Sequence, residues 1–68
     1  MFWYVHYRDG RGAGLHIVHG RDRAIDFACG LLAAGRAVLR IDNPRRAESI
    51  SASEIQDMQA SRGRAAGD

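Results

Sequence analysis

The 68-residue sequence contains no lysine, a single cysteine and a single proline. One cysteine excludes an internal disulfide framework and any zinc site built on paired cysteines. The uncharged run over residues 27–35 is far shorter than the roughly 20 apolar residues that cross a bilayer, and the sequence shows no secretory signal pattern. These absences predict a small cytoplasmic protein without a membrane span.

The composition is that of a soluble globular chain, with 46% hydrophobic and 26% charged residues and a formal net charge of +2. We expect a single domain over residues 1–62 and a frayed tail over residues 63–68. A core of this size rarely supplies more than about 3–5 kcal/mol. Natural domains this small usually add a disulfide, a metal or a partner, so a homodimer or another protein partner is the leading expectation.

Two strands and a turn are predicted at the start of the chain. Aromatic and β-branched residues dominate residues 2–7 and recur in residues 15–19, which predicts two strands. Glycines and the Asp9-Gly10 pair between them indicate a long or bulged turn over residues 8–14. The two strands should form an antiparallel hairpin.

Two helices and a third strand follow. Helical spacing of apolar residues predicts a helix over residues 20–35, with Asp22 as N-cap and Gly35 just after its end. Residues 36–42 read as a strand. Ser51 and Glu54 form a capping box, flanked by Ile50 and Ile55 at the positions of a hydrophobic staple, which predicts a second helix over residues 52–62.

The predicted fold is an α+β two-layer sandwich with element order β-β-α-β-α. The helical crossover makes the second and third strands run the same way. Because the first strand is the most aromatic, we place it in the centre, which gives a three-stranded antiparallel sheet in the order 2-1-3 with the helices packed on it.

Two surfaces look incompletely buried. Pairing Tyr7 with Leu15 sends Trp3, Val5, Leu15, Ile17 and Leu39 toward the first helix. The other sheet face, with Phe27 on the far side of the helix, then forms a half-apolar candidate interface: Tyr4, His6, His16, Val18, Val38, Arg40 and Phe27. Self-association, cover by the second helix, and a stacking platform for unpaired bases all account for such a face, and self-association ranks first.

Chemistry-bearing residues are few. The predicted register sets His6 opposite His16, but two ligands make an incomplete metal site. Cys29 lies within the helix and reads as a small buried hydrophobe. We therefore predict no catalytic residue, no metal and no cofactor, and an enzyme is the least favoured class.

An arginine rim is the remaining feature. The start of the first helix and the end of the third strand should share one edge of the sheet. There they would gather a candidate site for an anion or for nucleic acid: His19, Arg21, Arg23, Arg45 and Arg46. The ordinary alternative is a solvated rim paired with nearby carboxylates.

The sequence thus favours a small interaction module or accessory subunit that self-associates through its aromatic sheet face and apolar first helix. A protein that binds RNA, other nucleic acid or phosphate through the arginine rim is the alternative.

Overall fold

The computed structural model describes the backbone of residues 1–66 and the side chains of residues 1–62. The elements along this part of the chain are β1 (Phe2–Asp9), β2 (Gly12–His19), α1 (Arg21–Ala33), β3 (Ala37–Asn43), β4 (Glu48–Ser51) and α2 (Ala52–Ala66). The strands form one antiparallel sheet in the order β2-β1-β3-β4. The predicted α+β class and antiparallel sheet are confirmed. The expectation for the tail, residues 63–68, lies outside the fully described residues.

The sheet has a fourth strand that the sequence analysis missed, so the predicted number of three strands and the element order β-β-α-β-α are wrong, whereas the predicted order 2-1-3 is found for the first three strands. Strand β4 pairs with β3, with Ile50 opposite Ile41. A tight turn joins them, in which the backbone N–H of Arg46 donates to the carbonyl of Asn43 at 3.2 Å. Ala47 closes this turn with a φ of 52°. Asn43-Pro44 signals a turn, but left-handed backbone is unusual for a non-glycine residue such as Ala47, so the residue types did not indicate that the chain returns as a paired strand.

The first hairpin is tighter than predicted. Its turn is only Gly10-Arg11, and the side chain of Asp9 accepts a hydrogen bond from the backbone N–H of Arg11 at 2.8 Å. Tyr7 therefore lies opposite Gly14, and the predicted pairing of Tyr7 with Leu15 is wrong by one residue. Because side chains alternate along a strand, a one-residue slip turns every side chain of β2 to the other face.

Helix α1 begins at Arg21, two residues before the start that an Asp22 cap would give, and it terminates at Gly35 as predicted. Its N-cap is Gly20, with a φ of 99° and no side-chain cap, so the expectation that Asp22 caps the helix is wrong. At the other end Gly35 adopts a φ of 82°. The backbone N–H groups of Gly35 and Arg36 donate to the carbonyls of Leu32 and Leu31 at 3.0 and 2.9 Å. This is a complete Schellman termination.

Helix α2 starts where the capping box placed it. The hydroxyl of Ser51 accepts a hydrogen bond from the backbone N–H of Glu54 at 3.2 Å. Ile50 and Ile55, the two staple residues, are both buried. The last residue of β4 is thus also the cap of α2, which ties the edge of the sheet directly to the helix.

Both helices pack on the same face of the sheet, which we call the inner face. The core between the layers consists of buried side chains from both helices and all the strands except β2: Trp3, Val5, Ala24, Ile25, Ala28, Cys29, Val38, Ile41, Ile50 and Ile55. An ion pair between Asp26 and Arg62 joins α1 to α2 at the surface, and this hydrogen bond raises the pKa of Arg62.

A β-bulge in β3 sets which of its residues enter the core. The pairing with β1 shifts between His6 and Tyr7, so that Val38 is buried opposite Tyr7. Leu39 is the extra residue and is 40% exposed. The expectation that Leu39 faces the helix is therefore wrong, because alternation is interrupted at a bulge.

Among the described residues, no helix combines the length and the apolar character that crossing a bilayer requires.

Candidate functional site

The residues predicted to share one sheet face lie on two faces. Tyr4, His6 and Arg40 lie on the face opposite the helices, which we call the outer face. The corrected registers turn His16 and Val18 inward, opposite Val5 and Trp3, and Val38 is a core residue. Conversely Leu15 and Ile17, which the sequence analysis assigned to the core, lie on the outer face. The predicted face is therefore wrong in half of its members.

Phe27, the remaining predicted interface residue, covers the inner side of β2. Its ring stacks on His16 with the centroids 4.1 Å apart and the planes at 11°. Phe27 is half-buried and packs against the edge of the core. His16 therefore packs against Phe27 of α1 on the inner face, whereas His6 lies on the outer face. The predicted pair of facing histidines does not form.

An apolar patch occupies the outer face of β1 and β2. It is formed by Phe2, Tyr4, Leu15 and Ile17. Phe2, Leu15 and Ile17 are 60%, 51% and 55% exposed, and Tyr4 is half-buried directly opposite Ile17. Both helices lie on the inner face, so neither covers this patch. Cover of this face by the second helix, one of the three alternatives that the sequence left open, is therefore wrong, and none of the described residues covers the apolar patch.

A polar cluster lies beside the apolar patch on β1 and β3. It is formed by His6, Arg40 and Asp42. One carboxylate oxygen of Asp42 is 3.1 Å from the His6 Nε2 atom and accepts a hydrogen bond from the Arg40 Nε atom at 3.3 Å. The other oxygen of Asp42 is buried and has no hydrogen-bond partner among the described residues. The outer face is therefore polar along β3, where the polar cluster lies, and apolar along β2, where the apolar patch lies.

The polar cluster resembles part of an acid-base site but lacks its other parts. A carboxylate that holds a histidine can orient the ring for proton transfer. Within residues 1–62, however, His6 hydrogen-bonds no nucleophilic side chain and no pocket opens beside it. Three or more metal-ligating side chains do not come together in the described part of the chain. The cluster therefore acts as a surface ion-pair network, and Cys29 is buried in the core, away from it.

The arginine rim is distributed around one end of the sheet. The pairings of Phe2 with His19 and of Tyr4 with Asp42 put the ends of β2 and β3 at the same end of β1, as predicted. His19 is engaged by the N-terminal amine at 2.9 Å. Arg46 approaches Glu48 at 4.0 Å. The remaining rim residues make no ion pair with a described side chain: Arg21, Arg23 and Arg45.

The sequence contained the signal that would have found the apolar patch. A two-residue turn is the commonest hairpin connection. Loop residues Asp9-Gly10 would pair Tyr7 with Gly12, and the observed loop Gly10-Arg11 pairs Tyr7 with Gly14; either register turns Leu15 and Ile17 outward. The two extra glycines suggested a longer loop instead.

Comparison of the chain with models of protein families, with curated proteins and with solved structures finds no match in any of the three.

Proposed function

We propose that this protein is a small cytoplasmic interaction module or accessory subunit that self-associates through the apolar patch. The observation that carries the proposal is the exposure of Phe2, Leu15 and Ile17 on a sheet face that neither helix covers. Antiparallel sheets with one free face normally place polar side chains there. A contiguous exposed apolar face instead marks an interaction surface.

A second copy of the chain is the partner that the size of this surface favours. From strand spacing and rise, the outer face has a flat footprint of roughly 400 Å² per copy. Side-chain relief raises the accessible area, so two copies stacked over their whole outer faces would bury about 1,000 Å² in total, near the lower limit for a specific interface. The apolar patch, which lies on β1 and β2 only, would supply about half of that area. The proposed dimer is accordingly of modest affinity and concentration-dependent.

The experiment is sedimentation or light scattering of the purified protein between about 1 and 500 µM, the range in which modest interfaces dissociate. We expect a concentration-dependent shift from monomer to dimer. Tyr4→Lys should shift the equilibrium toward monomer, because Tyr4 lies in the middle of the apolar patch and a buried ammonium group is costly. Monomer at every concentration would contradict the proposal.

A matched control uses the same change outside the patch. Ser49→Lys lies on β4, also on the outer face but on its polar side, and should leave the monomer–dimer equilibrium close to that of the parent. Equal weakening by both variants would indicate a general charge effect.

Binding of RNA or another phosphate-bearing ligand at the arginine rim is a second candidate function. It is supported by the unpaired Arg21, Arg23 and Arg45 side chains among the described residues, and by the start of α1, which has no side-chain cap. Backbone N–H groups at a helix start attract anions. Unlike self-association, this binding would fall steeply with salt.

The test is retention of the protein on immobilised RNA at low and high salt. We expect the double variant Arg45→Ala, Arg46→Ala to elute earlier than the parent. Arg11→Ala with Arg36→Ala is the control of equal charge, because both residues lie outside the arginine rim and neither makes an ion pair with a described side chain. Equal loss in the two double variants would show that net charge alone sets retention.

A further inference from the structure

Strand β2 forms an edge of the sheet with no strand beside it. Its residues, Gly12–His19, include no Asp, Glu, Lys or Arg, and none of them is buried. Natural edge strands of this length usually carry a charge, a proline or a cover that prevents pairing with another chain. The β2 strand carries no formal charge and no proline, and no described strand pairs with its free edge.

One hydrogen bond fixes which residues of β2 direct their backbone groups outward. The N–H of Gly20 donates to the carbonyl of Met1 at 2.9 Å. Bonded and non-bonded pairs alternate along an antiparallel ladder, so Val18 and His16 also bond to β1. Leu15 and Ile17 then point their N–H and C=O groups at the free edge.

The same two residues have exposed side chains on the outer face. A second β2 strand that pairs antiparallel about His16 would place Leu15 of each copy opposite Ile17 of the other copy. The two-fold symmetry gives two such pairs. Centring the pair on Leu15 instead would set Ile17 against Ala13, and centring it on Ile17 would set Leu15 against His19. Only the pairing about His16 matches both apolar residues, and it brings together no formal charge on the two strands.

The inner side of the edge fits the same arrangement. The stack of Phe27 on His16 lies at the margin of the helix layer, where Phe27 is half-buried and His16 is exposed. Pairing about His16 would bring the Phe27–His16 stacks of two copies side by side across the two-fold axis. Both sides of the edge would then lose apolar surface, which a stack of outer faces alone does not achieve.

We infer that two copies of this chain join through their β2 edges, antiparallel about His16, to form one continuous sheet. Such a pairing adds about eight backbone hydrogen bonds, two for each bonded pair. This inference rests on the proposed self-association but places the contact along the β2 edge, with Leu15 and Ile17 of the apolar patch at the seam, instead of between stacked outer faces. It pairs the free backbone groups of β2, which stacking of the outer faces would leave unpaired.

A substitution at Ile17 tests this geometry. Ile17→Pro removes an N–H group that faces the free edge and leaves the bonds to β1 in place, and proline is tolerated at such edge positions. Each lost hydrogen bond weakens association about five-fold, so the two in the symmetric pair predict about 25-fold weaker dimerisation. Ile17→Val keeps the N–H group and should dimerise like the parent.

Amide hydrogen exchange of the unmodified protein gives a second readout that does not depend on the folding of the proline variant. The amides of Leu15 and Ile17 should exchange slowly at high protein concentration and rapidly on dilution. A dimer in which these two amides exchange rapidly, or which Ile17→Pro leaves intact while Tyr4→Lys disrupts it, would overturn the edge pairing and leave the proposed self-association standing. A protein that is monomeric throughout would overturn both.

Discussion

The two edges of the sheet, β2 and β4, are built in opposite ways. Strand β2 has eight residues, no formal charge and exposed Leu15 and Ile17 side chains. Strand β4 has four residues, begins at Glu48, and passes directly into α2 through the Ser51 cap. Ile50, its apolar residue, is buried under that helix. Shortness, charge and cover are the ordinary ways to protect an edge, and only β4 has them.

The two sides of the sheet differ in how much of their surface is covered by other parts of the chain. On the β3–β4 side both helices cover the inner face, and the outer face carries the polar cluster, so neither face exposes an apolar patch. On the β2 side neither the backbone edge nor the apolar patch has a partner among the described residues. Any partner would therefore gain most by binding at β2.

The largest expected difference in stability is between two alanine variants, one at an isoleucine of each edge strand. Ile50→Ala should lower the free energy of unfolding by about 3 kcal/mol, because it leaves a cavity under α2. Ile17→Ala should lower it by no more than about 0.5 kcal/mol in the monomer, because that side chain is already in solvent. Urea denaturation at low protein concentration measures both. Similar losses would mean that the two edges are equally buried.

The cap at the covered edge should have the next largest effect. Ser51→Ala removes the hydroxyl that accepts from the Glu54 N–H group and should cost about 1 kcal/mol of stability. Ser49→Ala, two residues earlier on the same strand, has no such bond among the described residues and should change stability by less than about 0.5 kcal/mol. Thermal unfolding of the two variants provides the comparison. If the difference between them vanished, the cap would not contribute.

At the open edge the corresponding weak point is Gly14. A Cβ atom there would lie 2.5 Å from the ring of Tyr7, so Gly14→Ala should force the ring aside at a cost of about 0.5–1 kcal/mol. The Tyr7 ring resonances should shift in an NMR spectrum. Gly10→Ala meets no neighbouring atom and should leave both stability and spectrum unchanged. An unshifted ring in the Gly14 variant would contradict this packing.

The smallest effect should come from the polar cluster. Asp42→Asn removes the negative charge of the carboxylate that both His6 and Arg40 contact. Exposed or half-exposed ion pairs contribute only about 0–1 kcal/mol. We expect a loss below about 0.5 kcal/mol that disappears in 1 M salt, where screening is nearly complete. Denaturation with and without salt checks it. A large, salt-independent loss would indicate a buried structural role for Asp42.

Local signals in the sequence predicted local structure well. The Ser51–Glu54 capping box and the Gly35 termination both depend on residues within one turn of the helix end, and both are confirmed. The start of α1 was placed wrongly because Asp22 is a better cap by residue type than Gly20, yet the backbone at Gly20 adopts a positive φ that suits glycine.

Pairing between strands was harder to predict, for a physical reason. The glycines after Asp9 allow several turn lengths, and each length gives a different register with similar local preferences. Strand β4 is short, and its turn depends on Ala47 in a left-handed conformation that residue type does not favour. The bulge at Leu39 likewise arises from packing between β1 and β3. Three of the seven predicted interface residues, His16, Val18 and Val38, lie on the other face because of the hairpin register and the bulge.

The shortness of β4 also limits how far assembly can proceed. Chains with two long open edges can add copies without end and grow into fibrils. Among the described strands each molecule has one such edge, so pairing two copies leaves no second long edge at which the sheet could be extended. The predicted assembly is therefore finite, and a lengthened β4 would be the change most apt to turn it into a polymer.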